Sequence, residues 1–175
     1  MDNMEETATH PAASTRPTVM VVDDADVNLM IMRSILEKEY SVKSFNQAKD
    51  ALDDAFASPP DLILLDIMMP EIDGFEACRR LKADPKLADI PVIFITAKNE
   101  DEYEEQGFSV GASDFIHKPI NAPILLARVR THLKIKLVMD YLKNENARLQ
   151  ENKKPSSPEL LKVIKMLWES PFIKF

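Results

Sequence analysis

The stretch that decides the fold is Asp61-Leu-Ile-Leu-Leu-Asp66-Ile-Met-Met-Pro70-Glu-Ile-Asp-Gly74. Residues 62–65 are four consecutive large aliphatics, too short a run for a typical helix and too uniformly apolar for a half-exposed strand. A run of this kind that ends at an acid and a proline is typical of a parallel strand buried on both faces. Asp66 then lies at the carboxyl end of that strand, where ligands and chemistry collect in open α/β sheets. Asp is also common in turns, so this residue alone leaves a simple turn-capping role open.

The composition indicates a protein with a real apolar core. The chain has 175 residues, of which 45% are hydrophobic, and its formal net charge is −7. This acidic balance argues against nucleic-acid binding through a global basic surface. A single cysteine excludes an internal disulfide and fits a reducing compartment. The sequence has neither an apolar run of membrane-spanning length nor a signal peptide, so we expect a cytoplasmic protein with no membrane partner.

Short apolar runs alternate with segments of helical periodicity along the chain. Further strands are predicted at residues 19–22, 41–45, 91–95 and 113–117. Helical spacing is seen in five sets of residues: Leu29, Met32, Ile35 and Leu36; Ala48, Ala51, Leu52, Ala55 and Phe56; Phe75, Cys78 and Leu81; residues 100–110; and residues 121–152. Asp26 and Asn46 are the predicted N-caps of the first two helices.

Five strands alternating with five helices predict an α/β protein whose parallel sheet is covered on both sides. Cys78 lies on the apolar face of its helix and is predicted to be a core residue rather than a reactive thiol. The three glycines form neither a G-x-G-x-x-G fingerprint nor a P-loop. The predicted fold would suit a nucleotide-binding protein, but the sequence lacks the glycine motifs that bind the phosphates, so a nucleotide-binding function is not predicted.

A parallel arrangement brings five polar side chains to one edge of the sheet: Asp23, Asp24, Asp66, Thr96 and Lys118. Three carboxylates at one place repel one another unless positive charge compensates them. Mg²⁺ suits an oxygen-only site with few protein ligands, and the lysine adds a second positive charge. Such a site is suited to phosphoryl transfer onto Asp66, with a hydrogen bond from Thr96 to a phosphoryl oxygen. Each residue also has an ordinary surface role, but four strand ends supplying the right chemistry together favour a site.

Four motifs carry a resemblance to a known family: Val-Val-Asp23-Asp24, Leu-Leu-Asp66-Ile-Met-Met-Pro70-Glu-Ile-Asp-Gly74, Ile-Thr96-Ala97 and Gly111-Ala-Ser-Asp-Phe115-Ile-His-Lys118-Pro119. Over residues 17–133 the chain resembles the receiver domain of two-component response regulators. The resemblance implies a doubly wound, flavodoxin-like five-stranded parallel sheet of order 2-1-3-4-5, followed by an extended C-terminal helix. It also implies phosphorylation of Asp66 by a histidine kinase or a phosphotransfer protein.

The resemblance assigns roles within the site as well. Asp24, Asp66 and the backbone carbonyl of Met68 are the implied Mg²⁺ ligands, with Asp23 acting through water. Thr96 and Phe115 take the paired switch positions, where Phe115 replaces the commoner tyrosine. The Lys118–Pro119 bond is expected to be cis, since the lysine must point back into the site while the chain turns away.

Two other functions compete with this interpretation. A phosphorylation-independent interaction module would not need the complete set of Asp66, Thr96 and Lys118. Aspartyl-phosphate phosphatases carry a second Asp two residues after the first, where this chain has Met68. The chain is therefore predicted to be a phosphoacceptor that assists its own phosphotransfer and dephosphorylation, not an enzyme, with any output domain elsewhere.

The sequence divides into four segments. Residues 1–17 are predicted to be a disordered lead-in, 18–133 the receiver domain, 134–152 a helical extension, and 153–175 a linker with a short amphipathic helix. Ile135, Val138, Leu142 and Leu149 follow a 3-4 spacing that could pair two copies as a short coiled coil, although Glu145 interrupts it and a solvated helix is the alternative. His132 is predicted to be a surface residue. The last segment could be a docking helix, the start of a further domain, or an artificial remnant.

Overall fold

The computed structural model of the protein describes residues 16–97 and 101–150. These residues form five strands and five helices in strict alternation: β1 Thr18–Val22, α1 Asp26–Leu36, β2 Ser41–Phe45, α2 Ala48–Ala57, β3 Leu62–Asp66, α3 Gly74–Ala83, β4 Val92–Thr96, α4 Asp101–Ser109, β5 Asp114–His117 and α5 Ala122–Gln150. The predicted lead-in and the tail after residue 152 lie almost wholly outside the described residues. No helix among those described is long and apolar enough to span a membrane.

All neighbouring strands of the sheet are parallel, in the order β2-β1-β3-β4-β5. This order confirms the predicted doubly wound, flavodoxin-like topology. The chain winds outward in one direction from β1 to β2 and in the other from β3 to β5. The carboxyl ends of β1 and β3 therefore lie side by side at the switch point, where binding sites form in such sheets.

The core has two layers, one on each face of the sheet. Side chains of β3 alternate between them: Ile63 and Leu65 join the layer under α2 and α3, whereas Leu62 and Leu64 join the layer under α1 and α5. All five residues of β3 are buried. Burial on both faces explains why this strand reads as a continuous apolar run rather than as an alternating one.

The predicted caps of the first two helices were wrong. Ala25 is the N-cap of α1, and Asp26 is already helical. The turn before α1 is instead tied by Asp23, whose carboxylate accepts the Ala25 amide hydrogen at 2.9 Å. The N-cap of α2 is Gln47, in extended conformation, so the helix begins one residue later than the Asn46 cap predicts.

The buried faces were otherwise predicted well, with one exception. Cys78 is fully buried, as expected of a core residue, and burial raises the pKa of its thiol to about 11. Phe56 was assigned to the buried face of α2 but is 46% exposed. It follows Ala55 by one residue, so it is rotated by about 100° away from the buried stripe that Ala55 shares with Ala51.

Ion pairs fasten α5 to the rest of the molecule. Arg128 contacts both carboxylate oxygens of Asp114 at 2.6 Å, and His132 contacts the same carboxylate at 3.0 Å. The side chain of His132 is only 15% exposed, so its assignment as a surface residue was wrong. The error arose because Asp114 lies on β5, and only the packing of α5 against that strand brings the two together.

Candidate functional site

The acidic site is built where β1 and β3 end. Asp66 is the last residue of β3, and Asp23 follows the last residue of β1. Both side chains are buried, and Thr96 at the end of β4 is buried as well. Lys118 follows β5 and reaches the same edge, so the structure brings together four of the predicted residues from four different strands.

Lys118 is the centre of the contacts. Its ammonium nitrogen lies 2.8 Å from Asp23 Oδ2 and 2.9 Å from Asp66 Oδ2. Its backbone amide donates to the carbonyl of Thr96 at 2.7 Å, and the following Lys118–Pro119 bond is cis, as predicted. Burial lowers the pKa of the ammonium, but hydrogen bonds to the two carboxylates outweigh that effect, and the net pKa is raised. The lysine is therefore a fixed positive charge.

The pKa of Asp66 is raised above its ordinary value. Burial is the largest cause, and the hydrogen bond and charge of Lys118 only partly oppose it. The Asp23 carboxylate pushes the pKa of Asp66 up further. The raised pKa of Asp66 is thus mainly an effect of burial, to which the neighbouring carboxylate adds.

Three acids could hold a cation here. Oxygen atoms of Asp23, Asp24 and Asp66 lie within 4.8 Å of one another, and the first and third are buried while Asp24 is exposed. This donor set fits Mg²⁺, which prefers carboxylate oxygens and keeps part of its water shell. The exposed Asp24 lies on the side of the group that water can reach. The Met68 carbonyl remains a predicted ligand.

Asn28 belongs to the site, although the sequence reading missed it. Its side-chain amide donates to Asp23 Oδ1 at 2.9 Å and lies 3.1 Å from Oδ2. Together with the Ala25 amide and Lys118, it leaves the Asp23 carboxylate held from three directions. The sequence carries one signal for this role: Asn28 is an amide residue in the first turn of α1, which begins just after Asp23 and Asp24.

The loop after β3 brings α3 unusually close to Asp66. An added Cβ at Gly74 would lie 2.3 Å from the Asp66 carbonyl oxygen and 2.8 Å from Ile67 Cα, so only glycine fits. The Gly74 amide donates to the Ile67 carbonyl at 2.9 Å. Asp73 caps α3 by accepting the Glu76 amide hydrogen at 2.8 Å. The close approach at Gly74 therefore leaves the backbone that carries Asp66 little room to move.

Phe115, the predicted aromatic switch residue, points into the molecule. Its ring is buried, with its centroid 5.5 Å from that of Phe94 and 4.9 Å from that of Phe108. Phe94 in turn packs edge-on against Phe75, the residue after Gly74. A row of aromatic rings therefore connects the loop after Asp66 with the surface of α4.

A doubly wound parallel sheet that gathers buried acids and a lysine at its switch point defines an α/β signalling domain of the phosphoacceptor type. The family model described as the response regulator receiver domain matches residues 19–130. The chain therefore belongs to the receiver domain family of two-component response regulators, which are phosphorylated on an aspartate.

Individual relatives agree with this assignment. The chain is 41% identical over 143 residues to a protein of Vibrio cholerae named "Probable cyclic di-GMP phosphodiesterase", covering 82% of this chain and 32% of that protein. It is 44% identical over 130 residues to the response regulator PleD of Caulobacter vibrioides, covering 74% and 29%. The chain thus spans about a third of the length of these relatives. The chemotaxis protein CheY4 of Vibrio cholerae superimposes with a TM-score of 0.65 at 25% identity, covering 67% of this chain and 98% of that one.

Proposed function

We propose that Asp66 accepts a phosphoryl group from a histidine kinase or a phosphotransfer protein in a Mg²⁺-dependent reaction. The observation that carries this proposal is the pair of contacts from Lys118 to Asp23 and Asp66 at the buried end of β3. A lysine that only balanced surface charge would not be held between two buried acids. The rival, a phosphorylation-independent interaction module, gives no reason for this arrangement.

The reaction proceeds by attack of an Asp66 carboxylate oxygen on phosphorus. The bond from phosphorus to the donor nitrogen breaks as the new P–O bond forms, and its electron pair stays with the donor imidazole. Lys118 neutralises charge on the phosphoryl oxygens, and the Thr96 hydroxyl donates to one of them. Asp23, Asp24, Asp66 and the Met68 carbonyl would hold the magnesium ion, which supplies further positive charge to those oxygens. Asn28, whose amide donates to Asp23, would hold this ligand's carboxylate in a fixed orientation.

The phosphodonor needs an apolar surface beside the site, and α1 offers one. Val27, Met30 and Ile31 are exposed, with Met30 at 72%. This helix begins three residues after Asp23, so a partner lying on it can reach Asp66. Exposed aliphatic residues grouped next to a buried polar centre are typical of a protein-docking surface.

We further propose that the far half of α5 pairs two copies of the chain. Leu125 and Val129 near its start are buried in the core, whereas Ile135, Val138 and Leu142 are exposed. These three residues lie at the spacing of a coiled-coil seam, and a helix partner would bury them. The side chain of Leu149, the fourth predicted seam residue, lies outside the described part of the structure. Residues 18–133 then form the receiver domain and 134–152 its helical extension.

The pairing is tested by sedimentation velocity with and without beryllofluoride and Mg²⁺, on the wild type and on Leu142→Glu. Beryllofluoride should change the self-association of the wild type at tens of micromolar, an ordinary weak-dimer range, whereas Leu142→Glu should stay monomeric in both states. An Asn144→Glu variant, which adds a negative charge at an exposed position two residues along the helix, controls for charge alone. A wild type that stays monomeric in both states means that the helix is a solvated extension.

Phosphorylation itself is tested with acetyl phosphate and Mg²⁺, followed by intact-mass measurement. One added phosphoryl group is expected on the wild type and on Asp53→Asn, a control at an exposed acid of α2. None is expected on Asp66→Asn or without the metal ion. Equal labelling of Asp66→Asn would refute the assignment, and an unlabelled wild type would favour the interaction module.

The output of the chain is proposed from its relatives. One is named as a phosphodiesterase and the other as a response regulator, and both are about three times longer than the matched region. We infer that this receiver controls an activity located outside the residues it shares with them. The chain itself then works as a switch and not as an enzyme.

A further inference from the structure

Gly107 is buried in α4 and faces the ring of Phe115. A Cβ added there would lie 2.3 Å from Phe115 Cζ, 3.0 Å from its Cε1 and 3.1 Å from Phe94 Cδ2. Real Cβ atoms essentially never approach another atom to less than 3.0 Å. The missing side chain of Gly107 is therefore the space that the tip of the Phe115 ring occupies.

We propose that Gly107 is a positioning residue that sets how much of the time Phe115 is buried, and through it the affinity of the site for a phosphoryl group. The proposal rests on the proposed function of Asp66 as phosphoacceptor. It adds a residue on α4, which contributes none of the polar groups of the site.

The surroundings of the ring leave it one direction to move. Phe94 packs on one side at a centroid distance of 5.5 Å, and its own ring lies against Phe75 in the core. A methyl group at position 107 would push the ring tip away from that residue, and the ring cannot retreat toward Phe94, which is fully buried. Phe108 lies against the ring at a centroid distance of 4.9 Å, but its side chain is 53% exposed and can move into solvent, so this is the side on which the ring can leave the core. An alanine would therefore favour an outward ring.

The ring position is coupled to the site through β4. Phe115 is paired in register with Phe94, and Thr96 lies two residues further along the same strand. Thr96 is the residue proposed to donate to the phosphoryl oxygen, and the buried ring packs against its strand through Phe94. A ring held outward removes that packing, so β4 holds Thr96 less firmly in place for the phosphoryl group.

The experiment uses Gly107→Ala, with Gln106→Ala as a matched control at a neighbouring exposed position of the same helix. Affinity for beryllofluoride in the presence of Mg²⁺ should fall by about 5- to 150-fold in Gly107→Ala, the usual range for coupling between two sites, and stay unchanged in Gln106→Ala. Labelling with 4-fluorophenylalanine reports the ring directly, and the signal of Phe115 is assigned by its loss in Phe115→Leu. In Gly107→Ala that signal should move to the position of a solvent-exposed ring.

A double variant tests whether the effect passes through the ring. Adding Gly107→Ala to Phe115→Leu should change beryllofluoride affinity no further, because the shorter side chain leaves room for the methyl group. Unchanged affinity in Gly107→Ala, a full penalty that persists in the Phe115→Leu background, or an unfolded Gly107→Ala protein would each overturn the proposal. Unfolding counts against it because it would mean that the ring has no outward position. A wild type that does not bind beryllofluoride defeats the phosphoacceptor function instead.

Discussion

Replacing Gly74 with alanine places a methyl group against the backbone that carries Asp66. The new Cβ starts 2.3 Å from the Asp66 carbonyl oxygen and needs at least 3.0 Å, so the two segments must separate by at least about 0.7 Å. Because the obstacle is backbone, no side-chain rotation relieves it. Overpacking of this kind costs about 1–3 kcal/mol, and because Gly74 is the first residue of α3, helix propensity offsets little of it. The loss of about 1–3 kcal/mol is equivalent to a fall in Tm of about 4–15 °C.

The same displacement should slow phosphorylation well below the melting temperature. Shifting a reacting group by about 1 Å can cost about a hundredfold in rate, so acetyl phosphate should label Gly74→Ala about ten- to a hundredfold more slowly than the wild type. The assay combines thermal unfolding with a time course of intact mass, taken at a temperature where both proteins are folded.

Gly111→Ala is the matched control for this prediction. Gly111 has a φ of +96° and faces the flexible side chain of Lys82, so an alanine there strains the backbone far from the acids. It should lower the Tm while leaving the labelling rate unchanged. The reasoning about close approach is wrong if Gly74→Ala labels at the wild-type rate, or if both variants slow labelling in proportion to their loss of stability.

Three further predictions concern buried ionisable groups. The pKa of Asp66 is raised in the folded protein, so this carboxyl favours folding below its unfolded pKa of 3.8, and that stability is lost as the pH rises through the folded pKa. In metal-free buffer at neutral pH, Asp66→Asn should therefore have a higher Tm than the wild type. A lower Tm would contradict the argument that burial destabilises the charged carboxylate. Burial raises the pKa of Tyr40 to about 12, so its stabilising effect is complete below its ordinary pKa of 10.0 and is lost as the pH rises through 12. Between about pH 9 and 12 the free energy of unfolding in urea should therefore fall by about 1–3 kcal/mol more in the wild type than in Tyr40→Phe. An equal fall in the two proteins would refute this prediction. With a pKa of about 11, the Cys78 thiol should react with Ellman's reagent at about pH 8 at least about a hundredfold more slowly in the folded protein than in urea, and equal rates would show an accessible thiol.

The sequence was sufficient for the sheet and for most of the acidic site because those features depend on local pattern. The apolar run of β3 and the acid at its end are contiguous in the chain, so the buried strand and the place of Asp66 could be predicted together. Parallel topology then gathers the strand ends, which brings Asp23 and Lys118 to Asp66 without further information.

Residues whose role depends on a distant neighbour could not be predicted. Gly107 looks like an ordinary weak position in a helix until Phe115 is found against it. His132 looks solvated until α5 packs beside Asp114. Asn28 lies close to Asp23 in sequence, yet only the path of the turn into α1 aims its amide at the carboxylate.

Ion pairs attach α5 to the rest of the domain and so set the direction in which the helix leaves it. Arg130 binds Glu39 just after α1, Arg128 binds Asp114, and Lys143 contacts Asp89 in the segment before β4. The helix has 29 residues and is about 43 Å long. A tilt of about 10° at its base would move its far end by several ångströms, and a residue inserted after Lys143 would turn the direction of Gln150 by about 100°. The contacts of α5 with the rest of the domain thus set both the position of the helix end and the direction in which its side chains point around the helix axis.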